Sequence, residues 1–446
     1  MSVGKERWRH VADVALVVLG AGFLSWLVFR GYRVGDLPNA DFFDFYYGAI
    51  AVRDGQDLYR VNDGGYIYPP LLAVVLRPMT LLEPTAAAHV WTMVLAALLG
   101  VTAWLVGEET QRRLGLGFSR VRTAALASVA VVVLGQTWKS EFQWGNSNVV
   151  VLLAVVLALR WVERRPVWSG AVLGVAVGVK YLPIVLLPYL LVRRRWRAAG
   201  AFAGALVVVL LAPAMVLGWE RNLEYLGVAF RGLLEMAGMA ERGGGANIHE
   251  VTSGFSLSVT SSVARWGDRL GVGRAGVLVW TCVLAIVFAG IGVWRYRVWG
   301  YGVVHVREGD REEAGRALVL VEWSVVWAMG LLFSPQTTHR HLNMLMPIVA
   351  LAVALAAADR GGRRWALIAA LVLATVGATA IPGVAGWREA TERWNQGGGA
   401  AGCVAVLVLV TMEAGLAWAR RRGRELREEG RKGAGEESDA GGRSPA

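Results

Sequence analysis

The chain is short of the residues that hold most soluble domains together. Two cysteines in 446 residues, Cys282 and Cys403, both inside apolar runs, give no disulfide framework and no metal-ligand spacing. Charged residues make up only 18% of the chain, too few for a soluble surface of this size. No glycine-rich phosphate loop of the Walker type is present, and no His/Cys/Asp/Glu cluster falls at metal spacing. The sequence therefore calls for no nucleotide site, no metal and no cofactor. Repeats of solenoid period are also lacking.

What is abundant is hydrocarbon. Hydrophobic residues are 55% of the chain and mean hydropathy is +0.45, the composition of a protein that crosses a bilayer many times. Twenty tryptophans include many that flank the apolar runs, as interfacial anchors do: Trp8, Trp161, Trp168, Trp196, Trp219, Trp299 and Trp387. The net charge of +12 comes from basic residues at run ends and in the tail. There they set topology and meet anionic lipid, so no nucleic-acid partner is expected.

A span needs about 20 apolar residues. Runs at 11–29, 86–106, 122–137, 147–161, 168–179, 182–192, 199–218, 276–294, 317–333, 341–358, 365–384 and 400–419 predict an all-α polytopic membrane protein with about 11–12 transmembrane helices. The first run follows Lys5, Arg7 and Arg9 and is long for a signal-peptide core, so it reads as a retained helix. The runs 168–179 and 182–192 are short and divided by Lys180 and Pro183. Proline breaks the helix ladder, and the pair reads as a broken or re-entrant element lining a cavity. One membrane domain over 1–425 is expected, with a charged, Gly/Ser/Glu-rich cytoplasmic tail over 426–446 that is disordered.

The connections are of two kinds. One set carries ADFFDFYYGA (40–49), YIYPPL (66–71), EFQWGNSN (141–148) and SPQTTHRH (334–341). The other carries arginine: Arg112-Arg113, ERR at 163–165, RRRWR at 193–197 and DRGGRR at 359–364. Short arginine-rich loops stay in the cytoplasm, so the chemistry-bearing set faces outward. Two outward loops, 31–85 and 219–275, are long. The first is expected to fold as interfacial helices, and the second, with GGG at 243–245, to be partly ordered and to close over substrate. An enzyme working on that side has no cytosolic nucleotide sugar or ATP, so its activated substrate arrives on a lipid.

Several residues in these segments suit chemistry, each with a plainer reading beside it. Asp41 and Asp44 share a helix face at i, i+3. One of them can serve as general base, or both can cap a helix. Tyr68, before Pro69-Pro70, sits in a rigid turn that is either structural or a ligand contact. Between two apolar runs, Gln143, Asn146 and Asn148 can bind sugar hydroxyls, since amides both donate and accept, or the asparagines can cap the next helix. Lys180 is a charge inside an apolar run, which suits a lipid phosphate, or it snorkels to the interface. His339, Arg340 and His341 can hold a phosphate or donate a proton, or can simply be solvated.

Taken in order, the motifs D-F-x-x-F/Y-x-x-G-A, G-x-x-L-Y, Y-P-P, G-x-x-N, the lysine before x-x-Pro, S-L…R and S-P…H resemble glycosyltransferase family 87, over about Val11 to residue 358. The resemblance implies a GT-C-type membrane enzyme that moves a hexose, mannose for the best-known members, from a polyprenyl-phosphate sugar to a glycolipid or glycan acceptor outside the cell membrane. It places the catalytic base on Asp41 rather than Asp44, by the spacing to Gly48-Ala49. It places donor and substrate contacts on Lys180, Arg265, Ser256 and Tyr68, and a catalytic histidine on His341, with His339 displaced from the usual pattern. The family's G-Q-x-N stands here as Gly145-Asn146-Ser147-Asn148, without the glutamine. In the implied reaction a single displacement inverts the anomeric centre, and cations stabilise the charge that develops on the leaving phosphate. Two other classes compete: a transporter or lipid flippase, which also uses broken helices and buried charge, and an outward-facing glycan polymerase or ligase, to which Arg231, Arg242 and Arg265 would be suited.

Overall fold

The computed structural model describes residues 2–37, 40–241, 250–302, 313–359, 361–378 and 388–441; those residues are helices and their connections, with no strand among them. In chain order the helices are α1 (Ser2–Gly31), α2 (Asp41–Asp54), α3 (Leu71–Val75), α4 (Pro84–Leu114), α5 (Arg120–Val133), α6 (Gly135–Trp144), α7 (Asn148–Trp161), α8 (Pro166–Val177), α9 (Leu186–Val192) and α10 (Trp196–Leu211). They continue with α11 (Ala214–Leu217), α12 (Trp219–Met236), α13 (Val259–Arg269), α14 (Arg274–Val298), α15 (Glu313–Phe333), α16 (Met346–Ala358), α17 (Gly362–Leu373), α18 (Arg388–Gln396) and α19 (Gly399–Gly441).

Among the described residues, seven segments are long and apolar enough to cross a bilayer: His10–Asp36, Pro84–Leu114, Trp196–Leu217, Arg274–Val298, Gly315–Phe333, His339–Ala358 and Gly399–Glu428. The pair α5 and α6, bent by 74°, makes an eighth if taken as one span. The remaining expected crossings are shorter: α7, α8 and Leu182–Val192 fall below the length of a full span. The last two meet at the break the sequence marks, where α8 stops at Val177 and a 3₁₀ turn, Leu182–Val185, carries Pro183. The run 365–384 begins as α17 and passes into a π turn, Ala374–Ala378; its last part, from 379 on, lies outside the described residues. This is an all-α, multi-pass membrane protein.

Helix α4, 31 residues long and so about 46 Å at 1.5 Å per residue, spans the bundle and shows its two polar ends. Near its start, Tyr46 donates to the Leu82 carbonyl and Trp91 Nε1 to the Gly145 carbonyl. Near its finish, buried Arg113 donates to the Leu159 carbonyl, and Trp418 Nε1 to the Leu114 carbonyl. The arginine-rich end is tied further by Arg160 to Glu108 and Glu109, and by Arg195 to the Val162 carbonyl. Between the two ends, α8 packs on α10, α15 on α19, and α4 on α5 and α7.

The long connection 31–85 is helical in part, as α2, α3 and short 3₁₀ turns. The connection 219–275 contains α12 and α13; its GGG at 243–245 lies outside the described residues. Helix α14 is long and mostly exposed, since Tyr296 is its only buried residue.

Candidate functional site

Three chain segments that are remote in sequence meet at the end of the bundle opposite the arginines. The first turn of α2 brings Asp41, the α6–α7 corner brings Glu141, Asn146 and Asn148, and the 3₁₀ turn His339–Leu345 brings Arg340 and His341. The corner forms because Gly145 ends α6 with φ +62, a left-handed conformation that glycine adopts without a Cβ penalty. A Cβ there would lie 2.7 Å from the Phe42 side chain. The glycine therefore also lets α2 lie against the corner.

A continuous line of hydrogen bonds joins these residues to Lys180. Asn146 donates from Nδ2 to Asp41 Oδ2 and accepts at Oδ1 from Lys180 Nζ at 2.6 Å. Lys180 Nζ also donates to Asn148 Oδ1 at 2.6 Å. The other end of the Asn148 amide donates to Glu141 Oε2 at 2.8 Å and to the Arg340 carbonyl at 3.1 Å. Each asparagine thus places its acceptor on the ammonium and its donor on a carboxylate. An amide is the neutral group that can do both at once. Lys180 is 4% exposed, a burial that a lysine tolerates only with such partners. Of its three N–H bonds two go to amide oxygens, and its ammonium stands 5.4 Å from the Tyr68 ring.

Asp41 is also ion-paired to Arg340, whose guanidinium stacks 5.1 Å from the Trp144 ring. Both side chains keep about a fifth of their surface, 22% for Asp41 and 23% for Arg340, so the pair is reachable. Asp44 lies on the same helix but in a different setting. It accepts from Asn62 Nδ2 at 2.6 Å, in a turn where Asn62, Asp63 and Gly64 all have positive φ. A Cβ on Gly65 would overlap its carboxylate. Burial raises the Asp44 pKa to about 6, against the bond from Asn62, with the Asp41 charge adding to the rise.

His341 Nδ1 accepts from the Thr338 backbone N–H at 3.0 Å and lies 2.9 Å from Thr338 Oγ1. This leaves Nε2 as the proton-bearing nitrogen of the neutral ring. Ser256 and its neighbour hold the same loop: Ser256 Oγ accepts from the Thr337 N–H, and the Leu257 N–H donates to the Thr337 carbonyl at 2.7 Å.

Below this network lies a cavity of about 1110 Å³. Tyr68, Lys180 and His341 line one end, Arg193, Tyr296 and Glu322 the other, and apolar side chains of Leu182–Val192, α14, α15 and α19 the length between.

The structure thus brings Asp41, Asn146, Asn148, Lys180, Tyr68 and His341 together. Asp44 lies beside them in its own turn. Gln143 is half-buried on α6, outside the line of bonds. His339 is near the site but does not line the cavity. Arg265 is not brought in. Its guanidinium donates to the carbonyls of Gln396, Ser253, Ser256 and Asn395 and to Ser262 Oγ, so it fastens the 253–256 strap and the end of α18 to α13. One member of the network, Glu141, stands outside the set of site residues drawn from the sequence, and Arg340 enters that set only together with the two histidines, without its pairing to Asp41. The signal for Glu141 was its place as the one carboxylate in the 138–148 segment; for Arg340 it was the cation between two histidines.

Compared with known proteins, residues 66–335 match the model of glycosyltransferase family 87. This covers Tyr68, the 145–148 corner, Lys180 and Arg265, and stops short of the 339–341 turn. The chain is 28% identical over 358 residues to a polyprenol-phosphate-mannose-dependent alpha-(1-2)-phosphatidylinositol pentamannoside mannosyltransferase of Mycolicibacterium smegmatis, covering 77% of this chain and 75% of that one. A polyprenol-phosphate-mannose-dependent alpha-(1-2)-phosphatidylinositol mannoside mannosyltransferase of Mycobacterium tuberculosis is 33% identical over 248 residues, 50% of this chain and 55% of that one. An alpha-(1->3)-arabinofuranosyltransferase of Mycobacterium tuberculosis is 29% identical over 201 residues, 42% of this chain and 45% of that one. No solved structure matches the chain.

Proposed function

The chain belongs to glycosyltransferase family 87, and on that premise we propose that it moves a hexose, mannose in the first instance, from a polyprenyl-phosphate sugar to a hydroxyl of a glycolipid or glycan. The observation that carries this reading is Lys180, held by two amides at the head of a long apolar cavity. A cation at the top of a hydrocarbon groove suits a phosphate at the top of a hydrocarbon chain. Mannose and a polyprenol-phosphate donor are the sugar and donor named for two of the relatives.

In this reading the donor phosphate lies against Lys180, with the Nε2–H of His341 and the Arg340 guanidinium near it. The acceptor hydroxyl approaches Asp41, which takes its proton as the oxygen attacks C1. The bond from C1 to the phosphate oxygen breaks on the opposite face, so one displacement inverts the anomeric centre. The departing phosphate monoester gains a second negative charge. Cations already in place stabilise that charge without reorganising. Arg340 has a further role, because its ion pair holds the Asp41 carboxylate in place for proton abstraction. Arg265 is left with the backbone it fastens. The reaction site faces outward, a reading supported by the arginines gathered at the opposite end of the bundle.

Purified protein in proteoliposomes tests this with two donors, polyprenyl-phosphate mannose and a nucleotide-activated mannose, and a phosphatidylinositol mannoside acceptor. Transfer from the lipid-linked donor alone is the expected result. Transfer from the nucleotide sugar alone would refute the reading.

A further inference from the structure

The far end of the cavity is closed by a cluster that the reaction does not use. Arg193, which follows α9, donates from Nε to Glu322 Oε2 at 2.8 Å and from Nη2 to the Tyr296 hydroxyl at 2.6 Å. Tyr189 donates its hydroxyl to Glu322 Oε2 at 3.0 Å, and Tyr296 bonds to the other Glu322 oxygen. The Arg193 and Glu322 side chains are only 9% and 11% exposed, yet both line the cavity. Three helices and the residue after α9 meet here. The cluster also anchors α14, whose only buried residue is Tyr296. One residue earlier, Arg295 pairs with Glu413 of α19, which also accepts from Trp299 Nε1. Helix α14 is therefore fastened at this end, and along the cavity it meets α15 at Phe288, whose ring centre lies 5.8 Å from that of Phe333.

We propose that the Arg193–Glu322–Tyr296 cluster is the floor of the donor groove and fixes how much of the polyprenyl chain the protein holds. The proposal rests on the donor reading above. The wall from Lys180 to Arg193 is about 20 Å long, at about 2.0 Å per residue through the 3₁₀ turn Leu182–Val185 and 1.5 Å per residue along α9, less than the roughly 30 Å hydrocarbon core of a bilayer. A hydrocarbon tail that reached the cluster would have to displace paired, hydrogen-bonded charges and offer nothing in return. Bilayer lipid is as apolar as the groove, so no hydrophobic gain drives the tail past that point. The chain beyond about 20 Å leaves sideways past α14 into the surrounding lipid.

The test uses polyprenyl-phosphate mannose carrying a photoreactive diazirine at one position per compound along the chain, with the full-length protein in proteoliposomes and crosslinks mapped by mass spectrometry. Labels within about 20 Å of the phosphate crosslink to groove residues such as Met329 and Met412. Labels farther out go to lipid or to the exposed side of α14. In the double variant Arg193→Met/Glu322→Leu, where apolar groups of similar volume replace the ion pair, a change often neutral for stability, the boundary moves to more distant labels. A wild-type protein that crosslinks distant labels beyond the cluster overturns the proposal, as does a folded double variant with an unmoved boundary. Either result leaves the donor reading intact if the protein still turns over the lipid-linked sugar. If no polyprenyl-phosphate sugar is a donor at any length, the donor reading falls and the floor with it. Should the double variant not fold, the wild-type series alone decides.

Discussion

The carboxylate of Asp41 and the ammonium of Lys180 are joined through a single amide, that of Asn146, although they lie on opposite sides of it in the fold and far apart in the chain. The amide fixes the separation of a carboxylate and an ammonium while keeping them from forming a direct ion pair. A direct pair would satisfy each with the other and leave less for a substrate. The arrangement holds both charges ready, one near the mouth beside Arg340 and the other at the head of the cavity.

Replacing Asp41 with asparagine keeps the shape of the site and removes the proposed base. Sugar transfer should fall by roughly 10²–10⁴-fold, the usual size of general-base catalysis, with the purified protein still folded. Asp44→Asn should cost far less, because Asp44 is engaged by Asn62 within its own turn. Initial rates and circular dichroism of the two variants decide the point. Equal losses would shift the base away from Asp41.

Asp44 also gives a stability effect with a definite sign. Its pKa is raised by burial to about 6 from 3.8, so between those values the folded protein holds a proton that the unfolded chain has released. Stability contributed by this group therefore falls as pH rises from about 4 to 6, and is level above that. Comparing melting temperatures of the wild type and Asp44→Asn across this window isolates the effect. The difference between them should change between pH 4 and 6 in favour of the variant as pH rises.

The orientation of the protein can be read with single cysteines in a background where Cys282 and Cys403 are replaced. Asp63 and Arg197 are both exposed and lie toward the site end and the arginine-rich end. In intact cells a membrane-impermeant maleimide should label Asp63→Cys, and should reach Arg197→Cys only after permeabilisation. Labelling of both from one side would contradict the outward placement of the site.

Much of this was legible in the sequence because a bilayer imposes a simple rule. Apolar runs of the right length become helices, and Lys180 with Pro183 marked where one would break. Polar density also pointed to the α6–α7 corner and to α2. What the sequence did not display was the pairing. Asp41 and Asn146 are 105 residues apart, and Asn148 reaches the Arg340 carbonyl across 192, so each looked like a separate, weak signal. Lys180 had no carboxylate near it in the chain, yet Glu141 and Asp41 stand one amide away. Arg265 shows the reverse error source. A lone arginine in a long connection looks suited to a phosphate, but five carbonyl and hydroxyl acceptors take its donors. The lengths of α7 and α8 were set by the corner and the break that flank them, which hydropathy alone does not measure.

The most direct test of the account is the affinity of Lys180→Met for polyprenyl-phosphate mannose, measured by equilibrium binding in nanodiscs beside the wild type. Methionine keeps the length and apolar body of the side chain, so the fold is retained while the cation is lost. Hydrogen bonds to charged groups contribute about 1.5–3 kcal/mol, so binding should weaken by roughly 10- to 150-fold. Wild-type affinity in a folded Lys180→Met protein would contradict the claim that Lys180 receives the donor phosphate.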